Sequence, residues 1–318
     1  MTFYHQNNMS VFLVIMATIC LTTATPYVDR GYPYEDGRLP TKNTIISASK
    51  DKSPLHNIVF SPSTPGTYGV FYFIGGLDGL VPAEAYVGYL TRISGHGFIC
   101  IGADILFPAK KRGLGNLSDF ADKFEMNFRW LEKNLTKRLD PGVIADWSKV
   151  TIGSHSDGAD GALLLAERNH TMAQAVVFYE PFSFKFTNKT TFSLPALIIG
   201  TVLSKEHRGL MPPCIINGFG FDHFYDMWGK GPKYYLNVKN FGHCDILDFE
   251  IRDVCVRAKV CESGNTTSME LYHDFTMGVT SAFMINTLYG YAEDQKYFTD
   301  QQYIPIEIET IKYNLTSV

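Results

Sequence analysis

Val150-Thr-Ile-Gly-Ser-His-Ser-Asp-Gly-Ala-Asp-Gly-Ala-Leu-Leu-Leu165 decides how the rest of this chain is read. An apolar, β-branched run enters Ser154-His155-Ser156-Asp157-Gly158 and leaves it as a helix-forming stretch of small residues. This is the strand–turn–helix setting of a nucleophile elbow, in which a serine is lifted to the edge of a sheet. Only a small residue fits two places after the nucleophile in so tight a turn, and Gly158 supplies it; Ala159 and Gly161 let the helix lie close to the sheet. The helix start favours negative charge developing beside the serine. Ser156 is therefore the expected nucleophile. Ser154 stands two places before it, where glycine is commoner, and is small enough to fit. Ser154 as the nucleophile is disfavoured, because only another serine lies two places beyond it. The competing reading is an ordinary strand and helix joined by a Gly/Ser turn.

Outward from the elbow, strand-like apolar runs occur at Ile58–Phe60, Tyr68–Ile74, Phe98–Ile101, Val150–Gly153, Ala175–Tyr179, Ala196–Ile199 and Tyr234–Val238. Between them Pro82–Ser94, Leu117–Leu139, Gly158–Asn169 and Phe219–Trp228 have helical spacing, with Phe120, Phe124, Phe128 and Leu131 recurring at three- and four-residue intervals. Short apolar strands separated by helices specify an α/β protein whose mostly parallel central sheet is covered by helices on both faces. A final helix is expected over Met269–Tyr289, and a late strand at Ile304–Ile311. The expected organisation is a signal peptide over 1–24, an extended N-terminal segment over 25–44, one α/β domain over 45–290 and a C-terminal extension over 291–318.

A serine hydroxyl needs a base and an acid to orient that base, in the chain order Ser, acid, His for this kind of elbow. Of the histidines after Ser156, His243 lies in a Gly-containing loop directly after the last core strand, where a base can reach back to the elbow. His170 follows the elbow helix and His273 sits on the terminal helix, so both read as surface or core-edge residues. Strand Ala175–Tyr179 ends in Glu180-Pro181, which puts a carboxylate at the same sheet edge; Glu206 and Asp222 are the reserves. The oxyanion of acyl transfer needs two backbone N–H donors. Asp157 follows the nucleophile, and the Gly-rich segment Tyr72-Phe-Ile-Gly-Gly-Leu-Asp-Gly79 offers Leu77 as the second. Neither GxGxxG nor a P-loop lysine follows those glycines, which leaves a nucleotide site without support.

Taken in order, these residues resemble the chlorophyllase-like branch of the α/β-hydrolase superfamily. Gly75-Gly76-Leu77 stands where that family has His-Gly-Phe, and Ser94-Gly95-His96-Gly97-Phe98 resembles its Ser-His-Gly-Phe. Ser154-His155-Ser156-Asp157-Gly158-Ala159 corresponds to Gly-His-Ser-Arg-Gly-Gly, and Glu180-Pro181 to Asp-Pro. Pro212-Pro213-Cys214 recurs, and Gly242-His243-Cys244-Asp245-Ile246-Leu247 resembles Gly-His-Met-Asp-Met-Leu. The resemblance implies the α/β-hydrolase fold over about residues 65–290, with Ser156, Glu180 and His243 as nucleophile, acid and base in ester hydrolysis through an acyl-enzyme, and no metal or organic cofactor. This chain has Glu in place of the family's acid Asp, lacks the family's oxyanion-loop His, and carries Asp157 in place of Arg. An anion beside the oxyanion disfavours it unless its side chain is turned away. A catalytically inactive hydrolase-fold protein with an extracellular binding or structural role is therefore the alternative. Loops Phe182–Phe192 and Ile215–Trp228 are rich in aromatics and are the expected walls of a site for a small-molecule or lipid-like ester, although such aromatics equally suit packing.

The amino terminus sets the expected compartment. Residues 1–24 contain no Lys, Arg, Asp or Glu, and the run Val11–Leu21 is followed by Thr22-Thr23-Ala24. This reads as a secretory signal peptide cleaved after Ala24, since a membrane span needs about 20 apolar residues. Sequons at Asn116, Asn134, Asn169, Asn188, Asn265 and Asn314 then read as N-glycosylation sites of a secreted protein. No second run is long enough to span a membrane, and the ending Tyr313-Asn-Leu-Thr-Ser-Val318 is no lipid-anchor tail. The chain has 28 basic and 32 acidic residues and no basic block beyond Lys110-Lys111-Arg112, so a nucleic-acid partner is set aside. Of six cysteines, Cys20 leaves with the signal peptide and Cys100 lies in a buried strand. Cys214, Cys244, Cys255 and Cys261 surround the His243 loop as candidates for two disulfides, in any of three connectivities.

Overall fold

The computed structural model describes residues 28–105, 117–209 and 211–316. The expected signal peptide over 1–24, Cys20 and the Asn116 sequon lie outside the described residues. Within them, one sheet is built from β1 (Thr41–Ile46), β2 (His56–Pro62), β3 (Gly66–Ile74), β4 (Phe98–Asp104), β5 (Val143–His155), β6 (Ala175–Tyr179), β7 (Ala196–Thr201), β8 (Lys233–Val238) and β9 (Ile308–Asn314). Their spatial order is β1-β2-β4-β3-β5-β6-β7-β8-β9. From β4 to β8 all neighbours are parallel, while β1, β2 and β9 join antiparallel at the two edges.

Side chains alternate across the sheet and feed two cores, which is why its central strands are apolar without a break. Phe71, Phe73, Phe98, Val177 and Leu236 face the helices Val87–Gly95 and Met269–Tyr289. Val70, Tyr72, Ile74, Phe178 and Ile198 face Leu117–Asn134, Gly158–Arg168 and Phe221–Met227. The Phe120/Phe124/Phe128/Leu131 stripe of the helix over 117–134 is buried on this second side. Phe124 is fully buried, and cutting it to alanine would cost about 3–5 kcal/mol. No helix among the described residues is long and apolar enough to cross a membrane.

The sheet order also places a crevice. The chain leaves β3 for β4 on one side and returns to β5 on the other, so the loops after β3 and β5 diverge at a topological switch point, where ligands bind in open α/β sheets. Those loops begin at Gly75 and Ser156.

The described segments before and after the main domain are more integrated than their composition indicates. Within the segment read as extended, Asp29 N–H donates to His96 O at 2.8 Å, Leu39 N–H to Gly95 O at 3.1 Å, and Tyr34 is buried against Phe275. Strand β1 starts at Thr41, inside that segment, and only Ile46 of it is buried. At the other end the late strand lies at Ile308–Asn314, beyond the expected Ile304–Ile311, and pairs with β8 through Leu236 and Ile311.

Candidate active site

Ser156 turns the chain between β5 and the helix Gly158–Arg168 at φ 57°. The turn closes so tightly that a Cβ on Gly158 would lie 2.3 Å from the Gly75 carbonyl oxygen, which accounts for the glycine. A left-handed serine costs of order 1–3 kcal/mol and persists only where neighbours hold it. Here Ser156 N–H donates to Tyr179 O at 3.0 Å, and Ser156 O accepts the Phe182 N–H at 3.2 Å. Both partners flank Glu180, itself left-handed at φ 47°. The end of β6 thus fixes the elbow and its own carboxylate together.

Three side chains meet there. Ser156 Oγ lies 2.9 Å from His243 Nε2, and His243 Nδ1 lies 3.4 Å from Glu180 Oε2. Glu180 is 1 % exposed, and its second oxygen, Oε1, has no hydrogen-bond partner among the described residues. The remaining sequence candidates lie elsewhere. Ser154 Oγ is buried in β5, His170 and His207 are exposed, and His223 bonds the Phe186 carbonyl. Glu206 is exposed, and Asp222 pairs with Lys205 and accepts the Tyr235 hydroxyl at 2.6 Å. His273 Nε2 donates to Asp245 O at 2.9 Å and so supports the loop that carries His243.

That loop is braced by a buried ion pair that sequence reasoning missed. Asp245 Oδ2 accepts the N–H groups of Gly242 and Gly264 at 2.8 and 2.7 Å, and Oδ1 accepts Arg252 Nε–H at 2.7 Å. Arg252 donates again to Gly264 O at 2.7 Å. Burying two charges is tolerable because the carboxylate accepts three hydrogen bonds and the guanidinium donates two. Disulfides Cys214–Cys261 and Cys244–Cys255 close around the same loop, and Cys100 is a buried free thiol. Of the three possible connectivities, this is the one the fold adopts.

Leu77 and Asp78 follow β3 in left-handed conformations, both at φ 52°. The N–H groups on either side of Leu77's are anchored: Gly76 N–H donates to Tyr86 Oη at 3.0 Å, and Asp78 N–H to Asp157 Oδ1 at 2.9 Å. Among the described residues neither the Leu77 N–H nor the Asp157 N–H has a protein acceptor. A Cβ on Gly76 would lie 3.3 Å from Ser156 Cβ, so the loop passes directly over Ser156. Burial, then Asp157 and Asp160, push the Asp78 carboxyl up to about 6 against the opposing charge of Lys185.

The aromatic loops divide between core and mouth. Phe186, Phe192, Phe224 and Trp228 are buried and belong to the core. Phe182, Phe184 and Phe219 form a chain of ring contacts at 4.7 and 4.8 Å, with Phe184 58 % exposed, beginning two residues after Glu180. The described groups able to approach a metal are Cys244, Cys255 and Cys261, all in disulfides, and His56, Glu84 and Asp104, which do not include the triad.

A sheet of this order, with a serine elbow after β5, an acid after β6 and a histidine after β8, is that of an α/β-hydrolase. The family model described as Chlorophyllase matches residues 31–315, and the chain belongs to the chlorophyllase family. It is 26 % identical to "Chlorophyllase-1, chloroplastic" of Citrus sinensis, over 94 % of this chain and 92 % of the relative. Chlorophyllase-1 of Arabidopsis thaliana is 23 % identical over 81 % of this chain and 84 % of its own length. Chlorophyllase-2 of the same plant is 23 % identical, over 84 % and 89 %.

Proposed function

We propose that this protein is a secreted, glycosylated serine hydrolase that cleaves carboxylic esters through an acyl-enzyme. The observation that carries the reading is the contact of Ser156 Oγ with His243 Nε2 at 2.9 Å, with Glu180 on the ring's other nitrogen. Ser156 Oγ attacks the ester carbonyl while His243 Nε2 takes its proton. Glu180 accepts Nδ1–H and stabilises the imidazolium. The tetrahedral oxyanion accepts from the Leu77 and Asp157 N–H groups. As the C–O bond to the alcohol breaks, His243 returns the proton to the leaving oxygen. Water, deprotonated by His243, then releases the acid from Ser156.

The altered residue beside the nucleophile is compatible with this chemistry, because the Asp157 carboxylate is committed to Asp78 N–H while its own N–H remains able to donate. Phe182, Phe184 and Phe219 favour a neutral ester with a large apolar part. Chlorophyll, the ester that the relatives' names point to, belongs in the substrate panel. The two disulfides support an oxidising route for the chain, and the exposure of Asn188, Asn265 and Asn314 suits glycan attachment. A fluorophosphonate probe should label the wild-type protein at Ser156 and leave folded Ser156→Ala unlabelled. Unlabelled wild type that is folded and disulfide-bonded would instead support the binding or structural role.

A further inference from the structure

Beneath the triad a second, fully buried hydrogen-bonded chain joins the loops that carry its parts. Gly76 N–H meets Tyr86 Oη at 3.0 Å, Tyr86 Oη meets His155 Nδ1 at 2.8 Å, and His155 Nε2 meets the His243 carbonyl oxygen at 3.0 Å. The proton positions follow from the two ends. A carbonyl only accepts, so His155 carries its proton on Nε2; a peptide N–H only donates, so Tyr86 Oη accepts there and gives its own proton to His155 Nδ1. Every group is satisfied in one arrangement, with a neutral imidazole. Tyr86 is fully buried, and His155 is 3 % exposed.

The chain spans three loops, each carrying a different part of the reaction. Gly76 precedes Leu77, the proposed oxyanion donor; His155 precedes the nucleophile; His243 is the base. Tyr86 is itself tied to the base side, because Asp248 N–H donates to Ala85 O at 2.9 Å and the Asp248 carboxylate accepts Gly88 N–H at 3.0 and 3.1 Å. Two consecutive left-handed residues in the oxyanion loop need neighbours that over-determine them, and Tyr86 holds one end of that pair. Resting on the hydrolase reading above, we propose that Tyr86 and His155 are positioning residues that hold the oxyanion loop and the base loop as one unit. Removing the link lets Leu77 N–H drift from the oxyanion without altering substrate contacts, so the loss falls on kcat.

Neutrality of His155 belongs to the same device. The groups facing its ring are Tyr86 and His243, the latter with ring centroids 4.7 Å apart. Burial first, then His243, hold its pKa well below the ordinary imidazole value. A protonated His155 would donate from Nδ1 to Tyr86 Oη, take away the acceptor of the Tyr86 O–H, and repel the imidazolium that forms on His243 during turnover.

The test measures Tyr86→Phe, His155→Leu, their double variant and His155→Gln on p-nitrophenyl esters. In parallel, nitrogen NMR of histidine-labelled wild type and Tyr86→Phe follows the rings between about pH 5 and 8. Both single variants should lose about 10- to 100-fold in kcat with KM unchanged. The double variant should lose no more than the worse single, and His155→Gln, whose amide offers an acceptor and a donor, should recover most of the activity. By NMR, one wild-type ring should stay neutral with its proton on Nε2 throughout that range. Independent losses that multiply in the double variant, a loss in KM alone, or a wild-type His155 that is cationic at pH 6 would overturn the proposal. The NMR result stands whether or not the protein hydrolyses esters. Inactive wild type with a neutral, Tyr86-bonded ring thus defeats the hydrolase reading alone.

Discussion

The Asp157 carboxylate accepts the backbone N–H of Asp78 at 2.9 Å, so the acid beside Ser156 clamps the loop that passes over that serine. An anion next to a developing oxyanion is a burden, and the clamp supplies its compensating use. Asp157→Asn keeps an oxygen for Asp78 N–H and removes the charge, whereas Asp157→Ala removes both. The asparagine variant should keep or gain activity, while alanine should lose roughly 10-fold or more in kcat through a loosened oxyanion donor. Steady-state kinetics on one ester decides it, and equal losses in both variants would show that the charge itself is required.

Asp78 gives the loop a pH dependence. Its folded pKa, about 6, is raised above the ordinary aspartate value by burial and by Asp157 and Asp160, with Lys185 opposing. A raised folded pKa means that the folded state holds the proton more tightly. The stability from that proton is therefore present below about pH 4 and is lost as pH rises through 6. Asp78→Asn, which cannot ionise, should match wild type near pH 4 and be the more stable protein at pH 7. Urea melts at both pH values measure this; a difference that does not grow with pH excludes it.

Arg252 is 4 % exposed and neutralises a fully buried Asp245. Replacing it with methionine keeps the bulk and strands the carboxylate, at a cost of about 3–5 kcal/mol. Equilibrium unfolding with both disulfides intact should show that loss. A change under about 1 kcal/mol, the value of an exposed pair, would mean that water reaches Asp245.

At the mouth, Phe184 is the most exposed of the three rings in contact. Phe184→Ala should raise KM several-fold for long-chain p-nitrophenyl esters and leave the acetate ester unchanged, because only the long chain reaches the ring. A uniform effect across chain lengths would assign Phe184 to packing.

Strands β3, β6, β7 and β8 were legible because both of their faces are buried, which leaves apolar runs bounded by turn residues. The same pattern placed Ser156, Glu180 and His243 at strand ends on one sheet edge. Strand β1 escaped because it is an edge strand reading Thr-Lys-Asn-Thr-Ile-Ile with one buried side chain. The helix Phe249–Arg257 escaped because its burial is inverted: Arg252 and Cys255 point inward while Phe249, Ile251 and Val254 are exposed. Tyr86 and His155 lie 69 residues apart, and neither belongs to a periodic or motif pattern that would link them. Their pairing comes from the loop after β3 folding over the elbow.

The central claim is that Ser156 becomes acylated with His243 as its base. Acid-quenched wild-type protein, taken milliseconds after mixing with a p-nitrophenyl ester and digested, should yield the Ser156 peptide carrying one acyl group. The same peptide from His243→Ala should be unmodified. An unmodified Ser156 in wild type that is releasing p-nitrophenol, or an acyl group on any other residue, would contradict the account.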